Sequence, residues 1–474
     1  MQKDKTAPSG PAGRLDVRPD RSYLIPEVPP AVSRRALLTA ILILAALIGV
    51  GFLFLVDLAS SRTRLTRLGW ERTLGSRDDI LRRFPAAEAS DAAIELERLV
   101  FPLGIDVAPR DFEDRERPSQ EQVQAFRRFK RELGGYVDRQ IEQAERRRLD
   151  PPPEALVDYL ELHDERLEAV RRHLTGDETV RWEMEVEKLQ AAPVPNLVGL
   201  LELHKLLVAD ALVRAGGGDS AGALVDLDAS WRLNRALVKR PNLMTQQIAI
   251  TVTRFQSGAL RLIEDVPELW IERLGEHDFH GSVLMAMKME GWLWAQIPEG
   301  IYRDDNLRGL KRLWERVAKP YTALCFADLS DVYRRELERR IGRRSLCDSR
   351  GPDLRVRPAR WNMLGNFVNK EDFTYPLHRL ARLELDLELT RKLIEVEAAR
   401  RGNGGRWAPE VSGIEESEAC PDDRWLYEVG PDGSMSLALS REVSWPDARG
   451  LILPTRFAAE PAVKLPVSKL EGKP

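Results

Sequence analysis

The chain has 474 residues, 43% of them hydrophobic and 31% charged, with a net charge of −3. That is length enough for two or three domains and apolar content enough for folded cores. The near-neutral balance excludes a global field that gathers nucleic acid or acidic substrates, and three cysteines are too few and odd in number for a disulfide framework.

Residues 1–35 carry Pro8, Pro11, Pro19, Pro26, Pro29 and Pro30 among few apolar side chains, so a disordered cytoplasmic tail is expected there. Ala36 to Val56 follows directly on Arg34 and Arg35: 21 uncharged residues, fourteen of them Leu, Ile, Val or Phe. As a helix this run spans about 31 Å, the thickness of a bilayer hydrocarbon core. Its insertion is favoured by about 4 to 8 kcal/mol. Ala36, Leu37, Leu38, Ile41, Ile43, Leu47, Phe52, Phe54 and Val56 are therefore the expected anchor of a single membrane span.

Ala59-Ser60-Ser61 offers small residues at a processing position, but signal-peptide cores run about 7 to 15 residues. This one is longer and follows a polar segment, so retention is expected. The arginines tie across the run, with Arg18, Arg21, Arg34 and Arg35 before it and Arg62, Arg64, Arg67 and Arg72 after it. Arg34 and Arg35 abut the apolar core, and long downstream domains translocate largely regardless of charge. The N-terminus is expected inside an inner (cell) membrane and the large C-terminal part in the periplasm or another extracytoplasmic space.

Residues 57–86 are expected to form a juxtamembrane helical linker, with Ser61 to Arg83 at the lipid surface and arginines near lipid phosphates. From 87 to 344 apolar residues recur at three and four, which predicts an α-helical domain. The predicted helices are Ser90–Phe101, Ser119–Arg148, Pro153–Leu174, Glu178–Leu189, Asn196–Ala215, Ser220–Lys239, Asn242–Ile263, Pro267–Leu274, Ser282–Gln296, Tyr302–Val317 and Tyr321–Ile341. Pro118, Pro241 and the Gly216–Gly218 run punctuate them. Residues 345–453 are expected to hold one more long helix, Tyr375–Arg401, then a β-hairpin. In that hairpin Trp425, Tyr427 and Val429 alternate, Pro431-Asp432-Gly433 turns, and Met435, Leu437 and Leu439 alternate again. Residues 454–474 are expected to be a flexible tail. The fold class is mainly α: a transmembrane helix, a helical bundle or stacked αα-hairpins, and a small C-terminal β-hairpin.

Leu200, Leu201, His204, Leu207, Val208, Ala211 and Leu212, a glycine turn, then Ala223, Leu224, Leu227, Ala229, Trp231 and Leu233 resemble a tetratricopeptide-type hairpin, although no 34-residue repeat recurs. The long helix followed by Gly402–Trp407 and Cys420-Pro421-Asp422-Asp423-Arg424-Trp425-Leu426-Tyr427 resembles a recurring C-terminal module. The plan is similar to that of single-pass bacterial envelope proteins, and its end is similar to the helix-then-sheet end of pseudopilins. A pseudopilin begins with a Gly ahead of its apolar helix and a Glu just inside it; here Ser33, Arg34 and Arg35 hold the junction. The resemblance implies a membrane-anchored helical scaffold or protein-interaction protein, with a structural subunit of a secretion or pilus-like apparatus and an enzyme with an unrecognised site as the alternatives.

No catalytic or cofactor-binding motif appears, and neither a cofactor nor nucleic acid is expected as a partner. His277 and His280 stand three apart beside Glu276 and Asp278, but nothing nearby completes a ligand set, so no metal is expected. His163 and His204 fall in apolar helical patterns and are expected to be core or boundary residues. Trp292, Trp294 and Trp314 with Met285, Met287 and Met289 are expected to be core packing. Cys325 and Cys347 are a candidate pair that leaves Cys420 free; three ordinary thiols is the simpler expectation. The densest charge run is Arg334, Arg335, Arg339, Arg340, Arg343, Arg344, Arg350, Arg355, Arg357 and Arg360. Arg334, Arg335, Arg339, Arg340, Arg343 and Arg344 are the candidate contact with an anionic surface, against the simpler reading of a solvated helix face paired with Glu336, Glu338 and the acidic loop Glu415 to Glu418.

Overall fold

The computed structural model describes residues 33–109, 115–142, 149–300, 310–341, 356–368, 374–441 and 456–459. The chain divides into two compact units, Met1–Phe54 and Leu55–Pro474.

In the first unit the described residues are the start of α1, Arg34–Leu74. No charge and no proline interrupts the run from Ala36, so the helix continues without a break past Val56. By length and composition it is the one described helix able to cross a membrane.

The second unit is mainly helical, as the periodicity predicts. After α1 come α2 (Arg77–Arg83), α3 (Asp91–Val100), α4 (Gln120–Glu142), α5 (Glu154–Leu162), α6 (Asp164–Thr175), α7 (Leu197–Gly216), α8 (Ser220–Val238), α9 (Leu243–Leu262), α10 (Leu269–Gly275), α11 (Phe279–Gly300), α12 (Leu310–Ile341), α13 (Met363–Val368) and α14 (Thr374–Gly402). The helix starts are chemically marked. Ser76, Ser90, Asn196, Asp219 and Asn242 each accept a backbone N–H from the first turn that follows them. α7, α8 and α9 pack together, and Leu203, Leu207, Leu227, Leu233, Ile250 and Ala259 are fully buried among them.

Four expectations are corrected. Glu178–Leu189 is not an α-helix: Met184 exchanges two backbone hydrogen bonds with Ala87, both 2.9 Å, and only Val186–Ala191 closes a 3-10 turn. A strand-like bridge from a distant segment outcompetes a helical pattern too short to stand alone. Pro153–Leu174 is two helices broken at His163, where Asp164 and Glu165 supply acidic residues to a new N-terminus. Pro320 does not end a helix; it lies inside α12. The tail prediction fails at Arg456–Ala459, which forms β3 antiparallel to β2.

The stretch expected as a surface linker contributes to the core. Along α1, Ala59, Thr66, Gly69 and Trp70 are buried. Ala59 packs with Ala323 and Leu324 of α12, and Thr66 donates its hydroxyl to the Ala327 carbonyl. Gly291 of α11 lets Trp70 in: a Cβ there would run into the indole ring.

α14 is apolar on two sides because it serves two cores. Leu377, Leu380, Leu383, Leu387 and Ile394 join the main core. Leu385, Leu389, Leu393 and Val396 meet Trp425, Met435, Leu437 and Leu439 of the small sheet. β1 (Trp425–Val429) pairs antiparallel with β2 (Met435–Leu439), in the register Trp425 to Leu439 and Val429 to Met435. The turn between them needs Gly433 at φ 83°, and Asp432 accepts the Ser434 N–H and hydroxyl.

Candidate functional site

Around the expected anchor the structure leaves the apolar side chains bare. Twelve large hydrophobic residues between Leu37 and Val56, among them Leu37, Leu38, Ile41, Ile43, Leu47, Phe54 and Val56, are 40% to 69% exposed. Ala36 is exposed and Phe52 half-buried. They point to every side of the helix, so no hydrophilic face is left for water.

A second exposed apolar group belongs to the other unit. Trp361, Met363 and Leu364 are exposed, as is Val317 on α12. They are held against α12 by the Tyr321 hydroxyl, which donates to the Trp361 carbonyl at 2.9 Å and accepts the Met363 N–H. Buried Asn362 donates to the Cys325 carbonyl and the Asp328 carboxylate. Tyr321 lies within one turn of Ala323 and Leu324, which touch α1 at Leu55, Leu58 and Ala59. Trp361 and Met363 are thereby fixed against α12. Arg357 and Arg360 are exposed beside them.

The candidate anionic-surface arginines are matched on their own helix. Arg334 bonds Asp331 and Glu338 at 2.8 and 2.9 Å, Arg335 pairs with Asp331 at 3.2 Å, and Arg339 pairs with Glu336. Such pairs three and four residues apart contribute about 0.3 to 0.5 kcal/mol each. Arg340 is in α12, its side chain lies outside the described residues, and so do Arg343 and Arg344.

Buried charges are knitted into sets that sequence reasoning missed. Arg171 of α6 is held by Asp210 of α7 and Asp226 of α8, and Arg214 reaches the same two carboxylates. Burial pushes the Asp226 carboxyl well above its ordinary range and Asp210 adds to the shift. Arg115 joins Glu97 and Glu183, while Trp182 donates to Glu97 at 3.1 Å. Glu388 of α14, buried, takes four donors from the C-terminal module: the Ser417 hydroxyl, the Glu418 and Ala419 N–H groups and the Trp425 indole, at 2.9 to 3.1 Å. No local periodicity reports such pairs, because their partners are distant in sequence.

His277 and His280 do not converge. His280 meets Glu384 at 3.1 Å, a hydrogen bond that raises its pKa, whereas His277 packs edge-on to Phe279 with its pKa pushed down to about 4 by burial. Among the described residues no group of three or more His, Cys, Asp or Glu gathers to hold a metal. His277, Asp278, Ser282, Gln246, Lys239 and Arg83 line an open cleft of about 290 Å³. His204 is a core residue: fully buried, its Nδ1 2.9 Å from the Ser230 hydroxyl, its pKa pushed down to about 3 by burial. Met287, Met289 and Trp292 are buried, and Trp294 meets Tyr333 at 5.1 Å. Trp314's side chain lies outside the described residues.

The cysteine expectation is overturned. Cys325 is a free, buried thiol, so it is not half of a pair, and Cys420 is disulfide-bonded. Cys347 lies outside the described residues. Spacing alone carries no information about which of three thiols folding brings together.

No family model, no curated protein and no solved structure matches this chain.

Proposed function

We propose that the protein is a single-pass membrane-anchored helical scaffold of a bacterial cell envelope, with its larger unit on the extracytoplasmic side and its helix faces engaging protein partners. The observation that carries this reading is the all-round exposure of Leu37 to Val56. In water such a surface is an aggregation site; in hydrocarbon every backbone group of the helix is already satisfied and every side chain is compatible.

Two further features support it. Exposed Trp361, Met363 and Leu364 have the chemistry of a headgroup boundary, where Trp is enriched and nearby Arg357 and Arg360 meet lipid phosphates. The disulfide at Cys420 agrees with an oxidising compartment.

Alkaline carbonate extraction of membranes tests the anchor. The protein stays in the pellet on this reading. Replacing Leu44 and Leu47 with Arg, at about 2.5 to 3.5 kcal/mol each, shifts it to the supernatant. Release of the wild type by carbonate contradicts the reading.

A further inference from the structure

On the α9–α14 seam, among the described residues, cations outnumber acids. The two helices run side by side, Thr251 meeting Arg379, Ser257 meeting Asp386, and Arg261 meeting Asp386 and Thr390. On α9 the facing stripe is Gln247, Thr251, Arg254 and Arg261; on α14 it is Arg379, Arg382 and Asp386. Among the described residues of these stripes, four guanidinium groups thus face one carboxylate. Asp386 is committed, accepting Arg261 at 2.6 Å and the Ser257 hydroxyl at 2.7 Å.

Arg254, Arg379 and Arg382 are left without an ion pair among the described residues. Arg382 is only 8% exposed and its Nε has no acceptor; the Nε of Arg254 is buried in the same state. Gln247, 7% exposed, has neither amide atom bonded. Arg379 donates to the Thr251 hydroxyl and lies over the Tyr375 ring. Asp138, whose charge also acts on Arg254, pairs with Lys205 at 3.1 Å. Burial depresses the pKa of all three arginines, and for Arg382 the charge of Arg254 is the next cause.

Buried charges are ordinarily paired, and buried donors are ordinarily satisfied. The set of Arg171, Arg214, Asp210 and Asp226 obeys the first rule, two cations meeting two acids. We propose that the α9–α14 seam is a binding site for a phosphate-class oxyanion, received by Arg254, Arg379 and Arg382 with the Gln247 amide beside them. A tetrahedral oxyanion supplies the missing negative charge and several acceptors at once, and the planar guanidinium fork matches its edges. Arg254, Thr251 and Arg379 are half-exposed, so the ligand reaches the seam from solvent, while buried Arg382 forms its floor.

The test is thermal unfolding of the full-length protein in detergent, titrated with inorganic phosphate and with pyrophosphate against sodium chloride of equal ionic strength. The site predicts a saturable rise in Tm that chloride does not reproduce. Arg254→Gln and Arg379→Gln each raise Tm in phosphate-free buffer, by relieving repulsion, and each loses the phosphate-dependent rise. Arg339→Gln, on α12, keeps it. Absence of a phosphate-specific rise in the wild type, or an undiminished rise in both seam variants, overturns the proposal. Reconstitution into phosphatidylglycerol and phosphatidylcholine discs then separates the sources. A higher Tm in the anionic discs that requires Arg254 assigns a lipid headgroup, and equal Tm values in the two discs assign a soluble phosphorylated ligand.

Discussion

Trp70 donates its indole N–H to the Ser330 hydroxyl at 2.7 Å, and that hydroxyl donates in turn to the Gly291 carbonyl at 2.8 Å. One relay therefore joins α1, α12 and α11 in the dry centre of the larger unit. The helix that carries the apolar run is a structural member of the domain at its other end, with a hydrogen bond whose two partners are both buried.

Trp70→Phe keeps most of the ring and removes the donor. It is expected to destabilise the protein by about 1 to 2 kcal/mol. Trp70→Ala also opens a cavity beside Gly291 and is expected to cost about 3 to 5 kcal/mol. Urea unfolding of the detergent-solubilised protein checks the order; equal stability of Trp70→Ala and wild type would show that α1 beyond residue 55 contributes nothing to the domain.

Glu388 accepts from Ser417, Glu418, Ala419 and Trp425, so it is the polar fastener between α14 and the small sheet. Glu388→Ala leaves buried donors unsatisfied, at about 1 to 3 kcal/mol. Limited proteolysis is expected to cut the variant between Gly402 and Arg424 before the helical core yields. Simultaneous loss of core and module would argue that the module has no separate attachment.

Much of the fold is legible because its signals are local. Asn196, Asp219 and Asn242 name helix starts by side-chain chemistry, the glycines at 216–218 name a stop, and the alternation around Pro431-Asp432-Gly433 names a hairpin. What is illegible is whatever a distant segment decides. Met184 bridges to Ala87, Arg456–Ala459 borrows the open edge of β2, and Pro320 is carried through a helix that α11 supports. Arg382 looks like any helical arginine until α9 lays Arg254 next to it. The apolar run is legible in the sequence, but the burial of Trp70 beyond it is not, because its partner is 260 residues away.

The histidines set an acid limit on stability. Burial holds His204 near pKa 3 and His277 near 4, both below the ordinary 6.5, so each is neutral in the fold. The unfolded chain then binds more protons below pH 6.5. Stability is complete above that pH and is lost as pH falls through the folded values, by at most about 5 kcal/mol for fully buried His204. Tm measured from pH 7.5 to 4 should fall, and His204→Gln should flatten the slope. An unchanged slope in that variant would place the acid sensitivity elsewhere.

Cys325→Ser and Cys420→Ser should part company. Cys325 is a free thiol in a buried position, so its replacement leaves electrophoretic mobility under non-reducing conditions unchanged, whereas Cys420→Ser abolishes the mobility shift that reductant produces in the wild type. No reductant-dependent shift in the wild type would show that Cys420 is reduced in the cell.

The central claim is an anchor that leaves the larger unit outside the inner membrane. Its most direct test is protease treatment of spheroplasts expressing the protein with a C-terminal tag, beside a cytoplasmic marker that reports lysis. The account predicts that the tag is digested in spheroplasts and spared in intact cells while the marker survives. Survival of the tag in spheroplasts, with digestion only after lysis, would contradict the orientation and put the helical unit in the cytoplasm.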